Sequence, residues 1–386
     1  MPVGLGSDVL FDKQLLRGRT IGLVSNPASI DAAFRHVTAR AEAAGVRLGA
    51  LFGPQHGSRS DLQENMIESP HGADHRRRIP VYSLYSETRE PTADMLAGLD
   101  AFVIDLQDVG TRIYTYIYTM ANCLVAARKH GLPVVVCDRP NPIGGLDVEG
   151  PMLRAGFESF VGQYPIPMRH GMTIGELARL FNEHFGIGAK LEVVPMQGWR
   201  RADLFDATGL PWVPPSPNIP TLDTAVVYPG IVLFEGTNAS EGRGTTRPFE
   251  LVGAPWVDAE PFAAGLNARG LPGVHFRPAI FEPTCHKHAG VSCGGCQIHV
   301  VDRAAYRPVA TGVALLEAFR EAGPAVFAWR PPPYEYEAVT PPIDILYGSA
   351  ALREQLDAGK PARALADGWP GEVAGFLEIR KRFLLY

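Results

Sequence analysis

The chain has 386 residues, 46% of them hydrophobic and 20% charged, with a formal net charge of −5. This composition excludes a disordered chain, and the acidic balance excludes the basic footprint of a nucleic-acid binder. The length fits two or three domains, and 41 Gly and 34 Pro signal many tight turns and rigid loops. The first twenty residues lack the basic start and apolar run of a signal peptide. No stretch approaches 18 uninterrupted apolar residues, and the five cysteines have no regular spacing. A cytoplasmic protein without membrane spans is expected.

Short apolar runs alternate with helical stretches through the first two-thirds of the chain. The runs are 20–25 (TIGLVS), 47–52 (RLGALF), 81–85, 101–106 (AFVIDL), 134–137 (VVVC), 191–194 and 230–234 (GIVLF). Most are unbroken and bounded by Gly or Pro, as strands buried on both faces of a parallel sheet are. Helices are expected over 32–44, 92–99, 115–129 and 173–183, the last opened by a capping box of Thr173 and Glu176. This rhythm predicts an α/β fold, an open, mostly parallel sheet wound on both faces, over residues 1–250. From 251 to 386 the order of elements changes. Strands at 275–281 and 297–301 and helices at 309–322 and 350–358 predict a smaller α+β domain. The Pro-rich segment 212–220 reads as an extended loop crossing the sheet edge.

Open α/β sheets bind ligands beyond the carboxyl ends of their strands. Asn26 follows the first run; Gln55, His56, Gln63 and Glu64 follow the second. Asp105, Gln107, Asp108, Arg112 and Tyr114 end the AFVIDL run, and Asp138, Arg139 and Asn141 follow VVVC. Glu235, Asn238, Glu241, Arg243 and Arg247 follow GIVLF. Together they predict a cleft lined by carboxylates, arginines and amides, which suits glycoside cleavage by two carboxyl groups. Asp138, in Asp-Arg-Pro-Asn, also reads as a turn residue.

No GxxxxGK[ST] motif is present and no GxGxxG follows the first strand, which disfavours nucleotide binding. Cys285, His286, His288, Cys293 and Cys296 are the one metal-like group. A CxxC without a second spaced pair reads as reduced thiols, so no metal and no cofactor are expected.

Several stretches are specific enough to carry a resemblance: LFGPQHG (51–57), DLQENMIES (61–69), DLQDVGTRIYTYIYTM (105–120), DRPNPIGG (138–145), SPNIPT (216–221), FEGTNASEGRGTTRPFE (234–250), PPPYEYE (331–337) and DILYGS (344–349). The chain resembles the DUF1343 family, whose characterised members are exo-β-N-acetylmuramidases of the NamZ type, and the resemblance covers nearly its whole length. It implies a Rossmann-like first domain, a smaller second domain and a cleft between them. It also implies release of terminal N-acetylmuramic acid (MurNAc) from peptidoglycan fragments, in recycling if the protein is cytoplasmic. The partner is then a small saccharide or muropeptide, with neither nucleic acid nor membrane involved.

On that reading Asp108 and Glu241 are the first candidates for acid and base or nucleophile, with Asp105 and Glu235 next. Asn26, His56, Gln107, Tyr114, Asn141, His170 and Asn238 would bind hydroxyls and the acetamide. Arg112, Arg139, Arg243 and Arg247 are candidates for the lactyl carboxylate, a group that Arg can bind bidentately. One departure matters: many members carry Glu where this chain has Gln55. An amide cannot titrate, so another acid or a different specificity is expected. The alternative is a sugar-binding protein that kept the cleft and lost the chemistry, and Gln55 favours it.

Overall fold

The structure, a computed structural model, describes residues 2–63 and 66–386; Glu64 therefore lies outside the described residues. Its strands are β1 (Thr20–Ser25), β2 (Arg47–Gly53), β3 (Gly72–Asp74), β4 (Ile79–Ser83), β5 (Ala101–Asp105), β6 (Val134–Cys137), β7 (Glu149–Met152), β8 (Pro167–Arg169), β9 (Leu191–Val194), β10 (Leu251–Ala254), β11 (Val274–Phe281) and β12 (Cys293–Val300). The main sheet runs β3-β4-β2-β1-β5-β6-β9 and is parallel except for the β3–β4 edge pair. The α/β class read from the sequence is the one found.

The helices are α1 (Gly6–Asp12), α2 (Val37–Ala43), α3 (Ala93–Leu96), α4 (Tyr116–His130), α5 (Ile174–Arg179), α6 (Leu222–Ile231), α7 (Ala259–Ala268), α8 (Pro308–Ala322), α9 (Pro342–Tyr347), α10 (Ala351–Asp357) and α11 (Arg363–Arg380). Side chains of the central strands alternate between two cores, as a period of two requires. Ile21, Leu23 and Val103 join Leu10 and Phe11 of α1 and Val37 of α2. Val24, Phe102 and Ile104 join Ile117, Met120 and Leu124 of α4. Because both faces are covered, the strand sequences are apolar without a break. Helix α4 stops at Gly131, at φ 69°, with Arg128, Lys129 and His130 at the negative end of its dipole. Helix α5 opens on the expected box: Thr173 Oγ1 accepts from Glu176 N, and the Glu176 carboxylate accepts from Thr173 N.

The expected strand over 230–234 is not formed. Thr221 caps α6 by accepting from Thr224 N, α6 runs on past Pro229, and a tight 3₁₀ turn (Val232–Gly236) continues it. An apolar run buried all round has no periodicity to tell strand from helix. Beyond it, β10, β12 and β11 form an antiparallel sheet with α7 and α8. Helices α6 and α8 cross with backbones touching, since a Cβ on Gly230 would lie 1.9 Å from the Pro308 carbonyl oxygen. The β7–β8 hairpin packs on α11. The larger core is continuous from Val24 in β1 to Phe383 near the C-terminus, so both halves share it. Among the described residues no helix is long and apolar enough to cross a membrane.

Candidate active site

A cavity opens where the loops after β2 and β5 meet the second half of the chain. After β2 the chain turns sharply, with His56 and Gly57 at φ 71° and 82°, and brings Gln55 and His56 to the wall. Tyr114, Thr115 and Tyr116, leading into α4, form the floor. The Pro-rich loop supplies Ser216, Asn218 and Ile219. It is pinned through the Pro215 carbonyl, which accepts from Asn26 Nδ2, Ser60 Oγ and the Tyr116 hydroxyl. Tyr228 of α6, Glu235, Arg243, Tyr334 and Glu335 close the remaining side. The cavity is narrow, about 30 Å³ in volume. A pyranose ring therefore enters only if the walls part.

Two carboxyl groups share this cavity in opposite surroundings. Glu235 Oε1 accepts from Arg243 Nη2 at 2.7 Å, and its Oε2 accepts from the Tyr334 hydroxyl at 2.6 Å. Glu335 takes its hydrogen bonds from neutral groups: Gln55 Nε2 at 3.2 Å and the Tyr85 hydroxyl at 2.8 Å. Burial, with the nearby Glu235 charge adding, pushes the Glu335 carboxyl up to about 7 against those hydrogen bonds. Burial pushes His56 down to about 4, so its imidazole is neutral at pH 7. Gln55 is fixed from behind, its Oε1 accepting from Thr115 Oγ1 at 2.7 Å.

Of the residues read from the sequence as catalytic or substrate-binding, His56, Tyr114, Glu235 and Arg243 line the cavity. Neither Asp108 nor Glu241, paired from the sequence as acid and base or nucleophile, lines it. Asp108 is buried, accepting from Gly110 N at 2.7 Å with His170 Nε2 at 3.4 Å, and so closes a turn. Glu241 sits behind Arg243. Its Oε2 accepts from Lys287 Nζ at 2.7 Å, and Arg243 Nε lies 3.3 Å from its Oε1. Against the cost of burial, Lys287, His286 and Arg243 hold the Glu241 carboxyl at about 2. Asp105 is spent on Arg139, whose Nε and Nη2 reach it at 2.5 and 2.9 Å with both side chains buried.

The other expected contacts are internal as well. Arg112 donates to backbone carbonyls, those of Pro151, Ile166, Leu346 and Tyr347. Arg247 reaches Glu250 at 3.2 Å. Asn26 and Asn141 each close a short turn, accepting from Ala28 N and Ile143 N. Gln107 donates to the carbonyls of Asp108 and Pro140, His170 Nδ1 accepts from Met172 N, and Asn238 ties to residues 326 and 328. Asp138, read as a turn residue, accepts from Thr173 Oγ1 and Gly175 N at the start of α5. Glu335 was missed as a site residue. Its segment PPPYEYE stood out in the sequence, but no strand-end rule points to a turn a hundred residues away from Glu235.

Cys293 and Cys296 are three apart on β12, so their side chains leave opposite faces. All five cysteines are free thiols, and among the described residues no group of three or more His, Cys, Asp or Glu is placed to hold a metal.

Residues 21–223 match the N-terminal domain, and residues 226–386 the C-terminal domain, of the family described as exo-beta-N-acetylmuramidase NamZ. A Bacillus subtilis (strain 168) protein described as peptidoglycan beta-N-acetylmuramidase NamZ is 44% identical over 387 aligned residues, covering 100% of this chain and 91% of the relative. Two crystal structures of DUF1343 family proteins from Bacteroides fragilis NCTC 9343 superpose over 100% of this chain and 99% of theirs. One has a TM-score of 0.90 at 33% identity, the other 0.77 at 26%. With both family domains matched and a full-length relative at this identity, the chain belongs to the exo-β-N-acetylmuramidase NamZ family of glycoside hydrolases.

Proposed function

We propose that this chain hydrolyses the glycosidic bond of a terminal, non-reducing MurNAc unit, with Glu335 as general acid and Glu235 as the second carboxylate. The observation that carries this reading is the pair itself: one buried carboxyl held protonated up to about pH 7, and one tied to Arg243, in the same cavity. Glu335 would pass its proton to the bridging oxygen as the bond to the anomeric carbon breaks. Glu235 would face the positive charge developing on the sugar, as base toward water or as nucleophile. Water supplies the new hydroxyl; its remaining proton passes to Glu235 where that group is the base, and to Glu335 where Glu235 is the nucleophile. Gln55 cannot titrate, and its amide instead orients Glu335. Of the four arginines considered for the lactyl carboxylate, Arg243 is the one in the cavity wall.

The finer reading is recycling of wall fragments in the cytoplasm, which the five free thiols support. The decisive experiment is turnover of a chromogenic MurNAc glycoside beside the matched N-acetylglucosamine (GlcNAc) glycoside. MurNAc carries an extra carboxylate, and a charge-assisted contact favours it by about tenfold or more in kcat/KM. Tight binding without turnover, or equal kcat/KM for the two sugars, would sink the reading. Fractionation of cells locates the protein independently.

A further inference from the structure

Glu335 sits in a turn whose geometry is costly. Tyr334 and Glu337 exchange backbone hydrogen bonds, each at 2.9 Å, and the two residues between them, Glu335 and Tyr336, have φ of 46° and 70°. That is the primed hairpin turn, which Asn and Gly adopt readily and bulky residues do not. Side chains hold it in place. The Arg89 guanidinium lies 3.7 Å from the centroid of the Tyr336 ring, and the Tyr336 hydroxyl bonds Glu68 at 3.1 Å. Glu335 N donates to Met66 Sδ. Strain of this kind persists where it serves a site.

The two turn residues part company in exposure. Glu335 is buried, whereas Tyr336 leaves 52% of its surface in solvent. Yet they remain close, because Tyr85 touches both. Its hydroxyl donates to Glu335 Oε2 at 2.8 Å, and its ring centroid lies 6.0 Å from that of Tyr336. One solvent-facing aromatic surface therefore stands a single phenol away from the acid, stiffened from behind by a cation.

We propose that the exposed ring of Tyr336, backed by Arg89, is the shelf on which the leaving-group sugar rests. The proposal depends on reading Glu335 as the proton donor. An acid that protonates the bridging oxygen has the departing pyranose against it, so the surface beside Glu335 and away from Glu235 is where that sugar lies. A pyranose offers a flat face of C–H groups, which suits the negative face of an aromatic ring. Tyrosine supplies this area at low entropic cost because it has few rotatable bonds. The ligand class is a second pyranose on the reducing side of the scissile bond.

The test compares two substrates in one assay: a MurNAc–GlcNAc disaccharide, and methyl MurNAc glycoside, whose leaving group has no ring. Tyr336→Ala is expected to lower kcat/KM for the disaccharide about tenfold more than for the methyl glycoside. Arg89→Met is expected to act in the same direction by releasing the ring. Tyr336→Trp, which keeps a flat face, is expected to retain the disaccharide preference and serves if the alanine variant does not fold. Equal losses on both substrates would make Tyr336 a purely structural residue and overturn the proposal, as would no loss on either. If the unmodified protein turns over neither substrate, the muramidase reading itself fails. If it turns over both but Glu335→Gln stays active, the acid assignment fails, and the shelf loses its reason to be there.

Discussion

The Glu335 carboxyl receives hydrogen bonds from an amide and a phenol, whereas Glu235 faces a guanidinium. The acid must hold its proton to work, so kcat/KM is expected to fall as pH rises through about 7, where burial has placed Glu335. Glu335→Gln keeps the shape and removes the proton. It is expected to lower kcat by about 10²–10⁴-fold, the usual weight of general acid catalysis, and to abolish the alkaline limb. A pH–rate profile of both proteins decides this, and an unchanged limb in the variant would assign it to another group. Asp105 carries the opposite expectation. Its bidentate contact with Arg139 is buried, so Asp105→Asn leaves an arginine charge unpaired and should cost about 3–5 kcal/mol of stability. Urea unfolding checks this; loss of kcat with stability intact would return Asp105 to the chemistry. Glu235 and Asp105 were both visible in the sequence as acidic residues at expected strand ends. What the sequence did not carry was the partner of each, and the partner decides whether a carboxylate is a reagent or a brace.

Most strands of the main sheet were legible because each is an apolar run bounded by Gly, Pro or a polar cluster, and β1, β6 and β9 match residue for residue. The run 230–234 has the same composition and became helix, because Thr221 had already started α6 and nothing polar marked a face. The short β7–β8 hairpin and α11, with three glycines and Pro370, have too weak a periodicity to be read. Two helix glycines, one in α8 and one in α11, allow a test of opposite signs. On Gly312 in α8 a Cβ would sit 2.3 Å from the Gly230 carbonyl oxygen, which is backbone and cannot turn aside. Gly312→Ala is expected to destabilise by about 1–3 kcal/mol despite the better helix propensity of alanine. On Gly375, at an exposed position of α11, a Cβ would meet nothing within 4 Å, so Gly375→Ala should stabilise by about 1 kcal/mol. Denaturant midpoints of the two variants moving in the same direction would mean that the α6–α8 contact is looser than it stands here.

Across the whole molecule the cavity is built from both halves, which is why strand-end reasoning found only part of it. The ends of β1, β5 and β6 are filled by the Asp105–Arg139 pair and the Asn26 turn. The open space lies instead toward α6 and the 334–337 turn. The halves also meet at Glu149 of β7, whose Oε1 accepts from Ala310 N at the start of α8 at 2.8 Å, with Arg169 opposite on β8. Burial pushes this carboxyl up to about 7 against both of those contacts. A carboxyl whose folded value lies above its unfolded value of about 4.3 contributes stability that is complete below that value. The contribution is lost as pH rises through about 7, because the folded state holds a proton that the unfolded chain releases. Glu149→Gln accepts the same hydrogen bond and has no proton to lose. The stability of the unmodified protein minus that of the variant is therefore expected to fall by an amount on the order of 3 kcal/mol between roughly pH 4 and 7, and to be flat on either side. Urea unfolding of both proteins across that range measures it directly. A difference that stays level, or that grows with pH, would mean that Glu149 is ionised in the folded protein and joined to Arg169, with an ion pair rather than a protonated acid holding β7 to α8.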